Sequence, residues 1–402
     1  MKILLVTTHF YPENFKANDL AFELARRGHD VTVLTPIPDY PQGRYYDGYG
    51  IFSKRSETVN GVRVLRSFVM PRRDGSAKWL ALNYATYTVF ATLQALLVGL
   101  TRRFDAVLVH ETSPVTVGIP AVLVKKMQRI PMFFWVLDLW PDSLEAAGGI
   151  HNRRILGVFR SLTAWFYRNS NKILISSKGF RKSINAMGDF DSRQVSFPNW
   201  VDGALSSAQS KAEFPVPALP DGFNVMFAGN IGDAQDMPHV LDAAERLRGT
   251  RVNFILVGDG RRKEWTKQQV VARRLDNVYL LGRYPLEAMP AMFAKADVLF
   301  LSLKNNPIFS LTVPAKLQAY MSAGKPIVAM INGEGAATIA DADCGWTVPA
   351  ENSAALASLL EGIAAMPTEK LTSKGANGLA YSAAHYNLTT CIDRLEALLR
   401  AK

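Results

Sequence analysis

The sequence predicts an α/β protein of two Rossmann-like domains facing across a cleft. Three observations predict it. Apolar runs of strand length alternate with amphipathic helical stretches over residues 2–176, and the alternation restarts at residue 224. Between the two series lies a Pro-, Ser- and Gly-containing segment that reads as a linker. A chain of 402 residues is also too long for one hydrophobic core.

Each element has its own signal. Lys2 to Thr7 reads as a buried strand, Asn18 to Arg27 as an amphipathic helix closed by Gly28, and Asp30 to Thr35 as the next strand. Strand, helix and strand within about 35 residues imply a parallel βαβ unit. Residues 36–55 form a long polar and aromatic loop containing Tyr40, Tyr45, Tyr46 and Tyr49, and loops of that length usually serve function. Thr58 to Phe68 reads as a hairpin turning at Asn60-Gly61. Strands follow at Ala106 to His110, Met132 to Val136 and Lys172 to Ser176, with helices at Val117 to Lys126 and Arg154 to Arg168. The second series has strands at Asn224 to Ala228, Asn253 to Val257, Val278 to Leu281 and Val298 to Ser302. Helices at His239 to Leu247, Lys263 to Arg274 and Leu286 to Ala294 separate them, and helices at Ala354 to Ala364 and about Thr390 to Arg400 close the chain. The expected organisation is a first domain over 1–203, a linker over 204–222, a second domain over 223–380, and a terminal helix over 381–402 free to pack back toward the first domain.

Residues 71–103 stand out. Arg72, Arg73 and Lys78 precede Trp79 to Leu100, a stretch of 22 residues without a charge, and Arg102 and Arg103 follow it. That length could span a bilayer. Asn83, Thr86, Thr88, Thr92 and Gln94 dilute it, so a helix partly in the core and partly membrane-facing is expected, with arginines at the headgroups. A fully buried core helix is the plain alternative. The start, Met1-Lys-Ile-Leu-Leu-Val, is a strand and not the apolar region of a signal peptide.

The net charge of +11 is lopsided. Residues 1–200 hold 26 Lys and Arg against 15 Asp and Glu, while residues 201–402 hold 20 of each. The first half therefore expects an anionic partner. Nucleic acid is not favoured, because no recognition motif accompanies the charge. Two cysteines, Cys344 and Cys391, exclude a disulfide framework, and no Cys/His cluster has zinc spacing. No Walker loop, no Gly-x-Gly-x-x-Gly after the first strand and no Ser/His/Asp arrangement is present.

The chemistry concentrates in Phe309 to Ala329. Ser310 and Thr312 read as N-cap types, Pro314 as a first-turn residue, Lys316 to Ala323 as helix, and Gly324 as its stop before a strand. Free N–H groups and the positive end of the helix dipole suit a phosphate, and Lys316 adds a full charge one turn in. Gly229, Gly258, Gly260 and Gly282 follow strands of the same domain, where open α/β sheets bind ligands.

In order along nearly the whole chain, the following pieces carry a resemblance: Tyr11-Pro-Glu-Asn14, Leu24-Ala-Arg-Arg-Gly-His-Asp-Val31, Asp138-Leu-Trp-Pro-Asp142, Pro198-Asn-Trp-Val-Asp202, Phe227-Ala-Gly-Asn-Ile-Gly232, Leu256-Val-Gly-Asp-Gly260, Leu281-Gly-Arg-Tyr284 and Val313-Pro-Ala-Lys-Leu-Gln-Ala-Tyr-Met-Ser-Ala-Gly-Lys-Pro326. Together they resemble the family-4 retaining glycosyltransferases of the GT-B fold, closest to bacterial O-antigen and capsule transferases of the L-fucosamine or colanic-acid type. The resemblance implies transfer of a deoxy- or N-acetylamino-sugar, with retention, from a nucleotide diphosphate sugar to a lipid-linked (undecaprenyl-diphosphate) glycan. It implies a peripheral enzyme on the anionic cytoplasmic face of the bacterial inner membrane.

Residue by residue, it implies a catalytic group drawn from Asp138, Glu13, His110 and Glu111. The donor diphosphate would be held by Lys316, Ser310, Leu311, Thr312, Gly229 and Asn230, and the nucleoside by Gly258, Asp259, Arg283 and Tyr284. No cofactor and no metal are expected, since paired carboxylates for Mg²⁺ are lacking. The departures from the family are informative. Its Glu-x7-Glu pair falls on Leu311 and Ala319, and its diphosphate-binding Arg and Lys fall on Asn230 and Gln235. A GT-B sugar-nucleotide 2-epimerase and a non-catalytic GT-B scaffold remain open alternatives.

Overall fold

The computed structural model describes residues 1–144, 152–205 and 214–401. They form two compact units, Met1–Phe197 with Ile392–Lys402, and Pro198–Cys391. The sequence-based boundary at 203 thus moves to 197.

Among the described residues, unit 1 is built on an eight-stranded sheet ordered β3-β4-β2-β1-β5-β6-β7-β8. The elements are β1 (Lys2–Thr7), α1 (Lys16–Arg26), β2 (Asp30–Pro36), β3 (Ser56–Val59), β4 (Val62–Ser67), α2 (Ala77–Thr101), β5 (Ala106–Glu111), α3 (Gly118–Gln128), β6 (Met132–Val136), α4 (Arg153–Asn169), β7 (Lys172–Ile175), α5 (Phe180–Asn185) and β8 (Gln194–Ser196). All pairings are parallel except β3 with β4, the hairpin that Asn60-Gly61 turns. Continuous apolar strands such as Ile3 to Val6 and Phe133 to Val136 are buried because helices cover both faces of the parallel sheet. β1 lies between β2 and β5, so the strand order reverses there and the carboxyl ends of β1 and β5 are where a ligand is expected.

Unit 2 has a parallel sheet ordered β11-β10-β9-β12-β13-β14 among the described residues. Its elements are β9 (Phe223–Ala228), α6 (Met237–Arg246), β10 (Val252–Val257), α7 (Lys263–Ala272), β11 (Val278–Gly282), α8 (Met289–Lys295), β12 (Val298–Ser302), α9 (Pro307–Leu311), α10 (Ala315–Ser322), β13 (Ile327–Met330), α11 (Glu334–Asp341), β14 (Gly345–Val348), α12 (Ser353–Ala364), α13 (Thr368–His385) and α14 (Leu388–Arg400). The period of two divides the core. Phe223, Val225 and Phe227 share one cluster with Val240 and Leu241 of α6 and Leu356 and Leu360 of α12. Met226 and Ala228 share the other with Met292 and Phe293 of α8 and Leu317, Tyr320 and Met321 of α10.

The structure adds elements that the apolar periodicity does not show. The longest is α13, whose face toward α10 is made of small residues. A side chain at Gly375 would meet the Gly324 carbonyl at 2.1 Å, so this helix is packed through glycine rather than leucine. Residues 206–213 of the expected linker lie outside the described residues. Its described remainder is no free tether, because Phe214, Val216 and Leu219 pack against the unit 2 core. From Ile392 onward the terminal helix belongs to unit 1, where Glu396 meets His29 at 2.7 Å and Asp393 meets Arg27 at 2.6 Å.

Candidate functional site

The carboxyl ends of β9, β10 and β11 and the N-terminal half of α10 enclose a pocket of about 550 Å³. The backbones at the strand ends lie close together. Gly229 N donates to the Val257 carbonyl at 2.8 Å and Gly258 N to the Gly282 carbonyl at 2.7 Å. A β-carbon at Gly258, whose φ is +144°, would lie 1.8 Å from the Gly229 carbonyl oxygen. Only glycine permits that approach and that dihedral.

α10 fixes the opposite wall. It runs from Pro314 to the left-handed Gly324 (φ +66°). The Tyr320 hydroxyl donates to the Ala228 carbonyl at 3.1 Å and accepts from the Ala228 N–H at 2.9 Å, which pins the helix to the end of β9. Lys316 lies one turn earlier on the same face. Its Nζ sits 3.7 Å from the Phe227 ring centroid, and a side chain at Gly229 would strike its Cε at 2.6 Å. That Nζ is buried and has no hydrogen-bond partner among the described residues. Burial alone pulls its pKa down from 10.5 to about 7. An unpaired ammonium on an aromatic face, at the mouth of three glycine-bearing strand ends, is a position prepared for an anion.

Of the residues expected at the donor site, Lys316, Gly229, Asn230, Gly258, Asp259, Arg283 and Tyr284 all line this pocket. Ser310, Leu311 and Thr312 do not line it. They belong to and follow the separate short helix α9, capped by Asn306, whose Oδ1 accepts from Ile308 N at 2.9 Å. The Ser310 hydroxyl turns back to the Asn306 carbonyl and the Thr312 hydroxyl to the Phe309 carbonyl, so neither caps α10, whose N-cap is Pro314. The sequence reading missed Phe227, which lies under Lys316, and the pocket-lining Met289 and Phe293. These are apolar core types, and no local signal separates a pocket-lining phenylalanine from any other.

The carboxyl edge of the unit 1 sheet gathers the other expected residues. Asp138 follows β6, is partly exposed, and accepts from the Ser113 hydroxyl, which in turn accepts from Trp140 Nε1 at 3.1 Å. Glu111, at the end of β5, is buried. Its Oε2 accepts from the N–H groups of Leu137 and Asp138, each at 3.3 Å, and its Oε1 has no partner among the described residues. Burial, then the Asp138 charge, raises its pKa well above the usual carboxyl range. Its Oε2 holds the Asp138 backbone.

Two more of the expected catalytic residues are buried. Glu13 is 3% exposed and fully engaged. One oxygen meets His9 Nδ1 at 2.6 Å, and the other accepts from Asp39 N and Tyr40 N at 2.9 and 2.8 Å. It ties the loop after β1 to the loop after β2. His110 is 1% exposed, bonded to the Thr7 hydroxyl at 3.1 Å, and held neutral by burial with a pKa of about 3. A buried imidazole of that basicity does not accept a proton at neutral pH. Asp138 remains as the accessible carboxylate of this group. Among the described residues no cluster of three or more His, Cys, Asp or Glu could hold a metal ion.

On the flank of unit 1, α2 is inverted relative to an ordinary surface helix. Asn83, Tyr87, Ala91, Ala95, Val98 and Gly99 face inward. Val89, Leu93, Leu97 and Leu100 face outward, the last two 62% and 71% exposed. In the turn before β3, Phe52 is 97% exposed beside Lys54 and Arg55.

Two family models match the chain. The one described as "Glycosyl transferase 4-like domain" spans residues 16–200 and the one described as "Glycosyl transferases group 1" spans residues 222–365. The chain is 26% identical to WbjE of Pseudomonas aeruginosa, which carries the name of a glycosyltransferase. That match covers 60% of this chain and 62% of the relative, less than two thirds of its length. It is 25% identical to WcaI of Escherichia coli K12, which carries the name of a colanic acid biosynthesis glycosyl transferase, over 81% of this chain and 82% of that one. Among solved structures, Anabaena Alr3699/HepE in complex with UDP and glucose is similar with a TM-score of 0.65 and 16% identity, covering all of both chains.

Proposed function

The chain belongs to the family-4 glycosyltransferases of the GT-B fold, and on that premise we propose that it moves a sugar from a nucleoside diphosphate sugar to a lipid-linked glycan in bacterial surface polysaccharide synthesis. The observation that carries the donor half is the buried, unpartnered Lys316 Nζ in the unit 2 pocket. The diphosphate lies against Lys316 and the Gly229–Asn230 backbone, and the nucleoside runs toward Arg283 and Tyr284. As the bond from the anomeric carbon to the diphosphate oxygen breaks, negative charge grows on that oxygen. A fixed ammonium in a water-poor site stabilises that charge more than it stabilises the ground state. The acceptor hydroxyl forms the new bond on the face the diphosphate leaves, and its proton passes to the departing phosphate. That route gives retention without a nucleophilic carboxylate. The sugar is a deoxy- or N-acetylamino-sugar. On unit 1, Asp138 takes the hydrogen-bonding role toward the acceptor.

The enzyme docks peripherally on the anionic cytoplasmic face of the inner membrane. A helix that turns alanine and glycine inward and leucine outward exposes an apolar stripe that water disfavours. Arg72, Arg73 and Lys78 before it, and Arg102 and Arg103 after it, suit phosphate headgroups. Because its inner face is packed on β2, β4 and α3, α2 lies along the surface and does not cross it.

Thermal shift with UDP, GDP, ADP and their sugars tests the donor site, since a ligand bound only by the native state raises the melting temperature. One nucleotide series is expected to do so in the wild type and not in Lys316→Met. A panel without any shift would overturn the reading. Incubation with the same sugars and no acceptor is expected to give no epimer.

A further inference from the structure

Unit 1 carries a second cavity, at the amino edge of its sheet. It has a volume of about 1160 Å³ and lies at the starts of β5, β6 and β7. From Met132 to Asp138, at about 3.3 Å per residue, it is about 20 Å from the carboxyl edge. Helices that cover a parallel sheet run back against its strands, so their C-termini gather at this edge, where the helix dipole favours cations. The end of α3 supplies Lys125 and Arg129, the end of α14 supplies Arg400, and the start of β7 supplies Lys172.

These cations surround an apolar floor of Phe104, Ile130, Phe133 and Leu399. Among the described residues the one carboxylate on the wall is Asp105, and its Oδ2 already accepts from Lys2 N at 2.6 Å. Lys125 is engaged as well, its Nζ donating to the Asn169 carbonyl at 2.6 Å and to Asn171 Oδ1 at 2.8 Å. Arg400 lies 3.8 Å from Glu396 on a largely exposed side chain. Arg129 and Lys172 have no ion-pair partner among the described residues. Arg129 also stands in the left-handed conformation that ends α3, at φ +54°, where glycine is the usual residue. The dipole accounts for a cation at each helix end. It does not account for a left-handed arginine, or for an apolar floor beneath unpaired charge.

Gln128 joins this cavity to the exposed helix α2. Its Nε2 donates to the Gly99 and Arg102 carbonyls at 2.8 and 2.6 Å, and its Oε1 accepts from Phe104 N at 2.8 Å. The rim therefore adjoins the end of α2 where Leu97 and Leu100 are most exposed and Arg102 and Arg103 follow. A small hydrophilic anion gains nothing from a floor of carbon, whereas an amphiphile with an anionic head gains from both parts of the cavity.

We propose that this cavity binds one anionic phospholipid, with Arg129, Lys172 and Arg400 on its phosphate and Phe104, Ile130 and Leu399 beneath the start of its chains. For its choice of ligand the site rests on the reading that unit 1 meets an anionic membrane, and it adds to that surface a pocket of fixed stoichiometry.

Calorimetric titration of the full chain with dihexanoylphosphatidylglycerol, kept below its micelle concentration, tests the site without a bilayer. One molecule is expected to bind per chain, about tenfold or more tighter than dihexanoylphosphatidylcholine or inorganic phosphate. Arg129→Gln with Arg400→Gln changes two exposed side chains and is expected to weaken binding by about tenfold or more without moving the melting temperature. Lys172→Gln, on a separate element, is expected to weaken it in the same direction. Equal affinity for the two lipids would overturn the role of the charge, and inorganic phosphate bound as tightly as phosphatidylglycerol would overturn the role of the floor. Wild-type affinity in both variants would overturn the location. A chain that sediments with anionic vesicles but takes up no phosphatidylglycerol would overturn the site and leave the membrane reading standing. A chain that binds neither would overturn both.

Discussion

Replacing Lys316 by methionine keeps an unbranched side chain, one heavy atom shorter, and removes the charge. The fall of its pKa from 10.5 to about 7 corresponds to about 5 kcal/mol of preference for the neutral form, at 1.36 kcal/mol per pH unit. The fold without a bound anion is therefore destabilised by about 5 kcal/mol wherever Lys316 is protonated in both states. The sign follows from proton counting. Between pH 7 and 10.5 the unfolded chain holds the proton that the folded chain has released, so native stability rises with pH across that window. Lys316→Met should thus melt higher than the wild type below pH 7 and lose its advantage toward pH 10.

Binding reverses the order. A nucleoside diphosphate sugar restores the proton to Lys316, so wild-type affinity should be greatest below pH 7 and fall by up to about tenfold per pH unit above it. Calorimetry at pH 8 in two buffers of different ionisation enthalpy should show uptake of close to one proton. Turnover of the variant should fall by about 10²–10³. Equal affinity at pH 6.5 and 8.5, no proton uptake, and near-normal turnover in Lys316→Met would together refute the assignment.

Three further outcomes are expected. Gly229→Ala, at φ +136° and 2.6 Å from Lys316 Cε, should lower the melting temperature and displace the lysine, weakening nucleotide binding at least tenfold by titration. Glu111 has a folded pKa above its unfolded value, so its stabilising contribution is complete below about pH 4.5 and is lost as pH rises toward the folded value. Glu111→Gln should therefore match the wild type in urea at pH 4.5 and exceed it at pH 8 while keeping the Asp138 loop in place. Leu97→Glu with Leu100→Glu should leave the melting temperature within about 1 °C, because both residues are exposed, yet abolish co-sedimentation with anionic vesicles. Binding equal to wild type would exclude α2 as the docking face.

The α/β rhythm, the two-part chain and the glycines after β9, β10 and β11 were legible in the sequence, because strand burial and close backbone approach leave local signals. Lys316 was legible as a charge at the start of a helix. Its isolation was not. That depends on Phe227 beneath it, Gly229 across it and Tyr320 holding α10 against β9, contacts between residues up to about ninety positions apart. The burial of Glu13 and His110 was not legible for the same reason. A carboxylate and an imidazole at strand ends read as reactive until the fold surrounds them with the N–H groups of Asp39 and Tyr40 and with the Thr7 hydroxyl. Ser310 and Thr312 looked like caps for α10 because local sequence does not reveal that α9 intervenes. The sequence alone determined which residue types stand at the strand ends and that the charge lies in the first half. Tertiary structure decided which of those groups stay free, since hydrogen-bond partners and burial are set by segments distant in the chain.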